Sequence, residues 1–296
     1  MRYEFHNGQL DIMDGKKYEN KPLAAFFNDY RISRKNRSLI LTNHQLLANG
    51  IPLCSEEDII PSGVLTLLIP EEEPDWVAAA KPCPVVYSDP FIYLAHKEAG
   101  IIIHGDENDV TCLNAQAARY QRDNGINAPV RPIHRLDKDT RGLVLFSKIP
   151  FFQPWLDFQL AEKKIRRKYL AIVKGSLTPG KKFDCDKPIA KDRHRSGCYR
   201  TASVGMSALT HIECLESHDG YSLLSCELET GRTHQIRVHL GDCGLPIVND
   251  PLYGMPSKDF GQMELWANEI VFRNPLTNKK HRILDGEDPD FASFRR

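Results

Sequence analysis

The sequence predicts an α+β protein, a mixed but mainly antiparallel sheet preceded by a small α/β unit. Three observations lead there. From about residue 90, strand-like runs follow one another without regular alternation with helices: Phe91 to Ala95, Ile101 to His104, Gly142 to Lys148, Tyr169 to Lys174, Leu209 to Leu215 and Tyr221 to Glu229. Ahead of them, Lys21 to Asn49 carries helical spacing (Leu23, Phe26, Phe27, Tyr30, then Leu39, Ile40, Leu46, Leu47). The turn dipeptide Asn49-Gly50 and a buried strand, Val64 to Ile69, complete that unit. Between the two lies a stretch rich in proline and acid, Pro70 to Pro84. The expected division is a small N-terminal domain over residues 1–73, a linker over 74–89, a main domain over 90–282 and a C-terminal tail over 283–296.

Two helices are expected in the main domain. Phe152 to Ile165 has helical character, with Pro154 tolerable in the first turn. Thr233 to Leu240 reads as a short helix, with Thr233 as N-cap and Gly241 or Gly244 as stop.

Composition narrows the function class. With 296 residues and 41% hydrophobic content the chain can bury an ordinary core. No apolar run approaches the roughly 18 residues of a membrane span, and Met1 to Leu10 is polar rather than signal-like. A cytoplasmic protein with no membrane partner is expected, and a monomer, since no heptad stands out. The eight cysteines include no CxxC pair, so no structural zinc is expected; Cys214 and Cys226 read as buried thiols. Formal net charge is +0, yet basic residues cluster at Lys163, Lys164, Arg166, Arg167 and Lys168, and again at Lys191, Arg193, Arg195 and Arg200. A local basic face can hold phosphates on a neutral protein. The first cluster also fits a solvated helix end.

The segment Pro132 to Lys148 sets a run of charges, His134 to Arg141, against a strongly apolar strand. Such a run is commonly a solvated loop, and a loop fixed by a rigid strand is also where catalytic groups sit. Here a resemblance becomes specific. His134-Arg135-Leu136-Asp137-Lys138-Asp139-Thr140 resembles the signature of the RluA-type pseudouridine synthase family. Arg167 to Ala171 resembles its second motif, Glu229 to His239 its third, and Asn249 to Gly254 the sequel to the third. Four matches in order extend the resemblance over about residues 90–280.

The resemblance implies conversion of uridine to pseudouridine in ribosomal or transfer RNA. That reaction breaks a glycosidic N–C bond and rejoins the base through carbon. Nothing is oxidised and nothing leaves, so no cofactor and no metal are expected. It implies Asp137 as the nucleophile, a competent covalent role for a carboxylate, kept ionised by Arg232 or another buried arginine. Asp139 is the rival acid, otherwise a turn residue. Tyr169 is implied to pack on the target uracil, its alternative being a core aromatic. Arg135 is implied to enter the space the base leaves, or else to touch phosphate. His134, Arg167, Lys168, Gln235 and Arg237 complete the expected substrate- and RNA-contacting set. His134 also reads as a structural member of the loop, and Gln235 and Arg237 as support for the site. His234 and His239, five apart, fall on different helix faces, which speaks against a metal pair. Residues 21–70 loosely resemble the small RNA-binding module often fused to these enzymes, with Arg31 to Arg37 as its basic helix start. Arg141 stands where the family has a small residue, and Glu98 where it has proline, which bears on substrate contacts. The alternative from another class is a non-catalytic RNA-binding ribosome-assembly factor. A hydrolase reading of His134 and Asp137 lacks a GxSxG elbow.

Overall fold

A computed structural model describes residues 1–294 except 7, 14 and 107. The N-terminal elements are β1 (Tyr3–His6), β2 (Gln9–Ile12), α1 (Leu23–Asp29), α2 (Arg34–Thr42), β3 (Leu46–Ala48), β4 (Ile51–Pro52) and β5 (Leu65–Leu68). The strands form one sheet in the order β1-β2-β5-β3-β4. The helical stretch expected from Lys21 is two helices. Arg31 turns left-handed (φ 58) and Ser33 Oγ caps the second by accepting from the Asn36 amide. The Asn49-Gly50 turn is real: both residues have positive φ (50 and 82), the conformation that closes a two-residue hairpin between β3 and β4.

The remaining elements are β6 (Val85–Ser88), β7 (Ile92–Lys97), α3 (Leu113–Asp123), β8 (Arg131–Pro132), β9 (Arg141–Ser147), α4 (Gln153–Ala161), β10 (Arg166–Lys174), β11 (Lys182–Cys185), β12 (Ile189–Lys191), β13 (Tyr199–Thr201), β14 (Thr210–His218), β15 (Tyr221–Leu228), α5 (Gln235–Asp242), β16 (Leu265–Arg273), β17 (Lys280–Leu284) and α6 (Pro289–Phe294). The main sheet runs β11-β14-β15-β10-β16-β9-β7-β6, with β17 beside β16 and β8 beside β9. Its pairs are antiparallel except β9 with β16, joined in parallel at Trp266↔Arg141 and Ala267↔Gly142.

Period-two alternation explains why the central strands read as continuous apolar runs. Leu94 of β7 and Leu143 and Leu145 of β9 face one core, shared with Leu10, Phe26 and Phe27 of the N-terminal unit. Tyr93, Val144 and Phe146 face the other, closed by Leu113 of α3 and Ile236 and Leu240 of α5.

Three expectations change. Residues 101–104 form no strand; the Ile102 and Ile103 carbonyls instead accept from the Leu113 and Asn114 amides at the start of α3 (2.9 and 3.1 Å). The stretch expected as a linker is bound in place: Asp75 accepts from the Val130 amide and Arg131, and Val85–Ser88 is edge strand β6. The expected tail supplies the end of β17 and all of α6, whose Phe291 and Phe294 are buried. Among the described residues no helix is long and apolar enough to cross a membrane, and no group of three or more His, Cys, Asp or Glu is placed to hold a metal ion. All eight cysteines are free thiols.

Candidate active site

The charged segment His134 to Thr140 is the loop between β8 and β9, fixed from below. His134 is buried, and its Nε2 accepts from the Leu145 amide of β9 (3.3 Å). Burial, aided by the charge of Arg167, pushes its pKa down to about 3, so the ring is a neutral strut. Its contact with β9 supports the loop from within, and it also lines the cleft. Lys97, fully buried at the end of β7, donates to the carbonyls of Glu98, Ile101 and Lys138 (2.9, 2.7 and 2.8 Å). Burial lowers its pKa to about 8. The Asp137 carbonyl accepts from the Thr140 amide, closing the turn. The Asp137 side chain is thereby presented at the cleft, 23% exposed.

Opposite stands α5. Arg237 Nη1 donates to Asp137 Oδ2 at 3.0 Å, while its Nε and Nη2 hold both oxygens of Asp250 at 2.8 Å. Arg237 is 3% exposed and the Asp250 side chain 0%. Burial opposes the guanidinium charge, but the hydrogen bonds and charges of Asp250 and Asp137 outweigh it and raise its pKa above the usual value. The planar fork suits this double grip. Asp250 Oδ1 also accepts from the Leu252 and Tyr253 amides, an Asx turn that fixes the carboxylate first. The arginine beside the aspartate is therefore Arg237, not Arg232. Arg232 is half-buried at the cleft wall, and its Nε donates to Ser207 O (2.9 Å).

The helix begins at Gln235, its cap one residue later than expected. His234, not Thr233, is the capping position; it is left-handed (φ 56) and makes no side-chain cap. Gln235 organises the turn instead. Its Oε1 accepts from the Arg232 amide and Thr230 Oγ1, and its Nε2 donates to Leu209 O and Thr210 Oγ1. With every polar atom engaged and 3% exposed, Gln235 supports the site from within. His234 shares a hydrogen bond with the Tyr253 hydroxyl (2.9 Å), and its Nε2 lies 4.0 Å from Asp137 Oδ2. His239, on another face, bonds Thr210 Oγ1 and Lys187 O.

Strand β10 sorts the basic run by alternation. Arg167 and Tyr169 line the cleft. Arg166 and Lys168 turn away to Glu227, at 3.4 and 3.7 Å. Lys168 is thus outside the cleft walls, and the run passes from the C-terminal end of α4, where the Lys163 and Lys164 amides donate to Leu160 O and Gln159 O, into β10. Lys163 pairs with Glu229. Tyr169 is 5% exposed; burial raises the pKa of its hydroxyl. Arg135 is exposed at the rim. The cleft encloses about 1210 Å³ and gathers Asp137, Tyr169, Arg167, Arg232, Arg237 and Arg135 along its walls.

The two departures from the family pattern lie away from the cleft. Arg141, 2% exposed, grips Asp288 through Nε and Nη2, Glu264 Oε2 through Nη2 and Met263 O through Nη1. Glu98 is a surface residue 3.7 Å from His96. Sequence reasoning gave no role to Asp250 or Lys97. Asp250 stood in a quoted motif, Asn249-Asp250-Pro251, and a lysine inside an apolar strand end is a signal for Lys97.

Comparison with known proteins agrees with this arrangement. A family model described as RNA pseudouridylate synthase matches residues 92–242. An uncharacterized RNA pseudouridine synthase of Bacillus subtilis, YlyB, is 33% identical over 282 residues, 92% of each chain. Ribosomal large subunit pseudouridine synthase D of Xylella fastidiosa is 33% identical over 283 residues, 88% of this chain and 83% of that one. Among solved structures, human RNA pseudouridylate synthase domain containing 1 superposes with a TM-score of 0.58 at 23% identity, over 72% of this chain and 86% of that one, a likeness of fold. The chain belongs to the RluA-type family of RNA pseudouridine synthases.

Proposed function

We propose that Asp137 is the carboxylate that attacks an extruded uridine, and that Arg237, Tyr169, Arg135, Arg167 and Arg232 bind and hold that nucleoside and its RNA. The observation that carries the reading is the chain Asp250–Arg237–Asp137, a mostly buried carboxylate that still reaches the cleft, held on a buried guanidinium in an open, arginine-lined cleft. The guanidinium fixes the position of the Asp137 carboxylate at the cleft, and a carboxylate so placed is a competent nucleophile. Asp137 forms a transient bond with the nucleoside, the N1–C1′ bond breaks, the uracil turns, C5 bonds to C1′, and the bond to Asp137 breaks to return the free carboxylate. The C5 proton leaves and N1 ends protonated, so the balance closes without a redox partner.

A base must leave its stack to reach Asp137, at a cost of a few kcal/mol. Stacking on Tyr169 returns roughly 1–3 kcal/mol, and Arg135 at the rim is placed to fill the gap. The substrate is structured RNA, with ribosomal RNA first, supported by the relatives named for the large ribosomal subunit; transfer RNA is the second class. The enzyme acts in the cytoplasm as a monomer, so light scattering is expected to give a mass near 33.7 kDa.

Residues 90–282, together with edge strand β6 and the docked C-terminal segment, are the catalytic unit, and residues 1–73 are an added RNA-binding unit. Two of its basic residues are engaged: Arg37 holds Glu56 and Asn28, and Arg31 stacks on Phe158 at 4.0 Å. Exposed Arg34 and Lys35 remain for phosphate.

Asp137→Asn is the decisive variant. On unmodified ribosomal and transfer RNA, carbodiimide-dependent primer extension is expected to show no pseudouridine, with RNA binding retained. Full activity in Asp137→Asn sinks the assignment. A wild-type chain that binds RNA and forms no pseudouridine on any substrate leaves the assembly-factor reading.

A further inference from the structure

Two thiols outside the cleft come together without a role in the reaction. Cys185, the last residue of β11, is buried, while Cys243, the residue that caps the C-terminal end of α5, is exposed. Their Sγ atoms are 3.1 Å apart across 58 residues of sequence. The same two segments are already tied twice: Lys187 pairs with Asp242 (2.8 Å), and His239 Nε2 bonds Lys187 O (3.0 Å). The sulfurs are therefore held close by contacts that do not depend on them.

We propose that Cys185 and Cys243 form a reversible dithiol–disulfide site, oxidised by small soluble disulfides of the glutathione type. Accessibility sets the order of steps. Exposed Cys243, as thiolate, attacks one sulfur of the small disulfide, and one small thiol leaves with the displaced electron pair. Cys185 then gives its proton to solvent and attacks Cys243 Sγ, and the second small thiol leaves. Two protein thiols are oxidised by two electrons and one small disulfide is reduced to two thiols. Burial raises the pKa of Cys185, which suits a resolving group that does not react with the small disulfide directly.

The test uses the intact chain carrying Cys54→Ser, since Cys54 is the other exposed cysteine. After incubation with glutathione disulfide and digestion without reductant, mass spectrometry is expected to find peptides containing Cys185 and Cys243 joined, two hydrogens lighter, and separated again by dithiothreitol. Closing a loop of this length is expected to raise Tm by roughly 5 °C in the oxidised form. In Cys185→Ser the reaction is expected to stop at a glutathione adduct on Cys243. If the unsubstituted pair also stops at that adduct, or if Cys185 still takes up an alkylating reagent after oxidation, the proposal is wrong.

Discussion

At Arg237 one guanidinium serves two carboxylates, and its substitutions separate charge from geometry. Arg237→Ala leaves the buried Asp250 carboxylate without its cation, with only the Leu252 and Tyr253 amides to hold it, and is expected to cost roughly 3–5 kcal/mol of stability, read by urea unfolding. Arg237→Lys keeps the charge but not the fork, so the fold is expected to survive while kcat falls by about 100-fold, from a carboxylate no longer held at the reacting angle. Arg232→Ala, which frees only Ser207 O, is expected to raise KM and leave kcat near wild type. His134 gives a pH prediction. Its folded pKa, about 3, lies below the ordinary histidine value of 6.5. Below pH 6.5 the unfolded chain takes a proton that the folded chain refuses, so stability falls from pH 6.5 toward 3. In His134→Gln that part of the acid slope is expected to vanish. The motif pattern made Asp137 and Tyr169 legible as a pair, because a charged loop and a strand aromatic are separate sequence signals. Which of Arg232 and Arg237 meets the aspartate was not legible. Helical phase decides it, and the left-handed His234, with the Gln235 side chain tying back the Arg232 amide, moves the helix cap by one residue.

The same limits hold for whole elements. Strands β7, β9 and β10 are readable because both their faces are apolar, whereas residues 101–104 have the same composition and no strand neighbour; their carbonyls go to α3. Strand β16 and the docked C-terminal segment depend on partners distant in sequence, above all Arg141, which looked like a departure in the substrate loop and is in fact the anchor of the C-terminus. Burial raises the pKa of Glu264 to about 7 against the pull of Arg141. Arg141→Ala is therefore expected to destabilise the fold by roughly 3–5 kcal/mol. It should also make residues after 284 protease-sensitive, with part of the stability regained in Arg141→Ala/Glu264→Gln. The parallel seam is less forgiving. Gly142 has φ 117, and a Cβ there would lie 2.4 Å from the Ala267 carbonyl. Gly142→Ala is expected to cost more than about 3 kcal/mol or to prevent soluble expression, because neither backbone can yield without parting β9 from β16.

For the molecule as a whole, neutrality hides a polarised surface. The cleft keeps Arg135, Arg167 and Arg232 clear of carboxylate ion pairs among the described residues, while Lys163 is matched by Glu229 on its wall and Arg166 and Lys168 by Glu227 outside it. RNA affinity is expected to fall with salt, and each of Arg135→Ala and Arg232→Ala to lower the slope of log K against log salt by about 0.7–0.9. The apolar core common to both units has a further consequence. Phe91, just ahead of β7, and Phe152, at the start of α4, meet Tyr3 and Tyr30 edge to face, and the Tyr30 hydroxyl donates to Pro275 O. The leading unit is grafted onto its neighbour, not strung from it. Exchanging it for the equivalent part of a relative would transplant a hydrophobic wall along with any specificity, and a chimera would need its matching aromatic sockets before it could be asked which RNA it prefers.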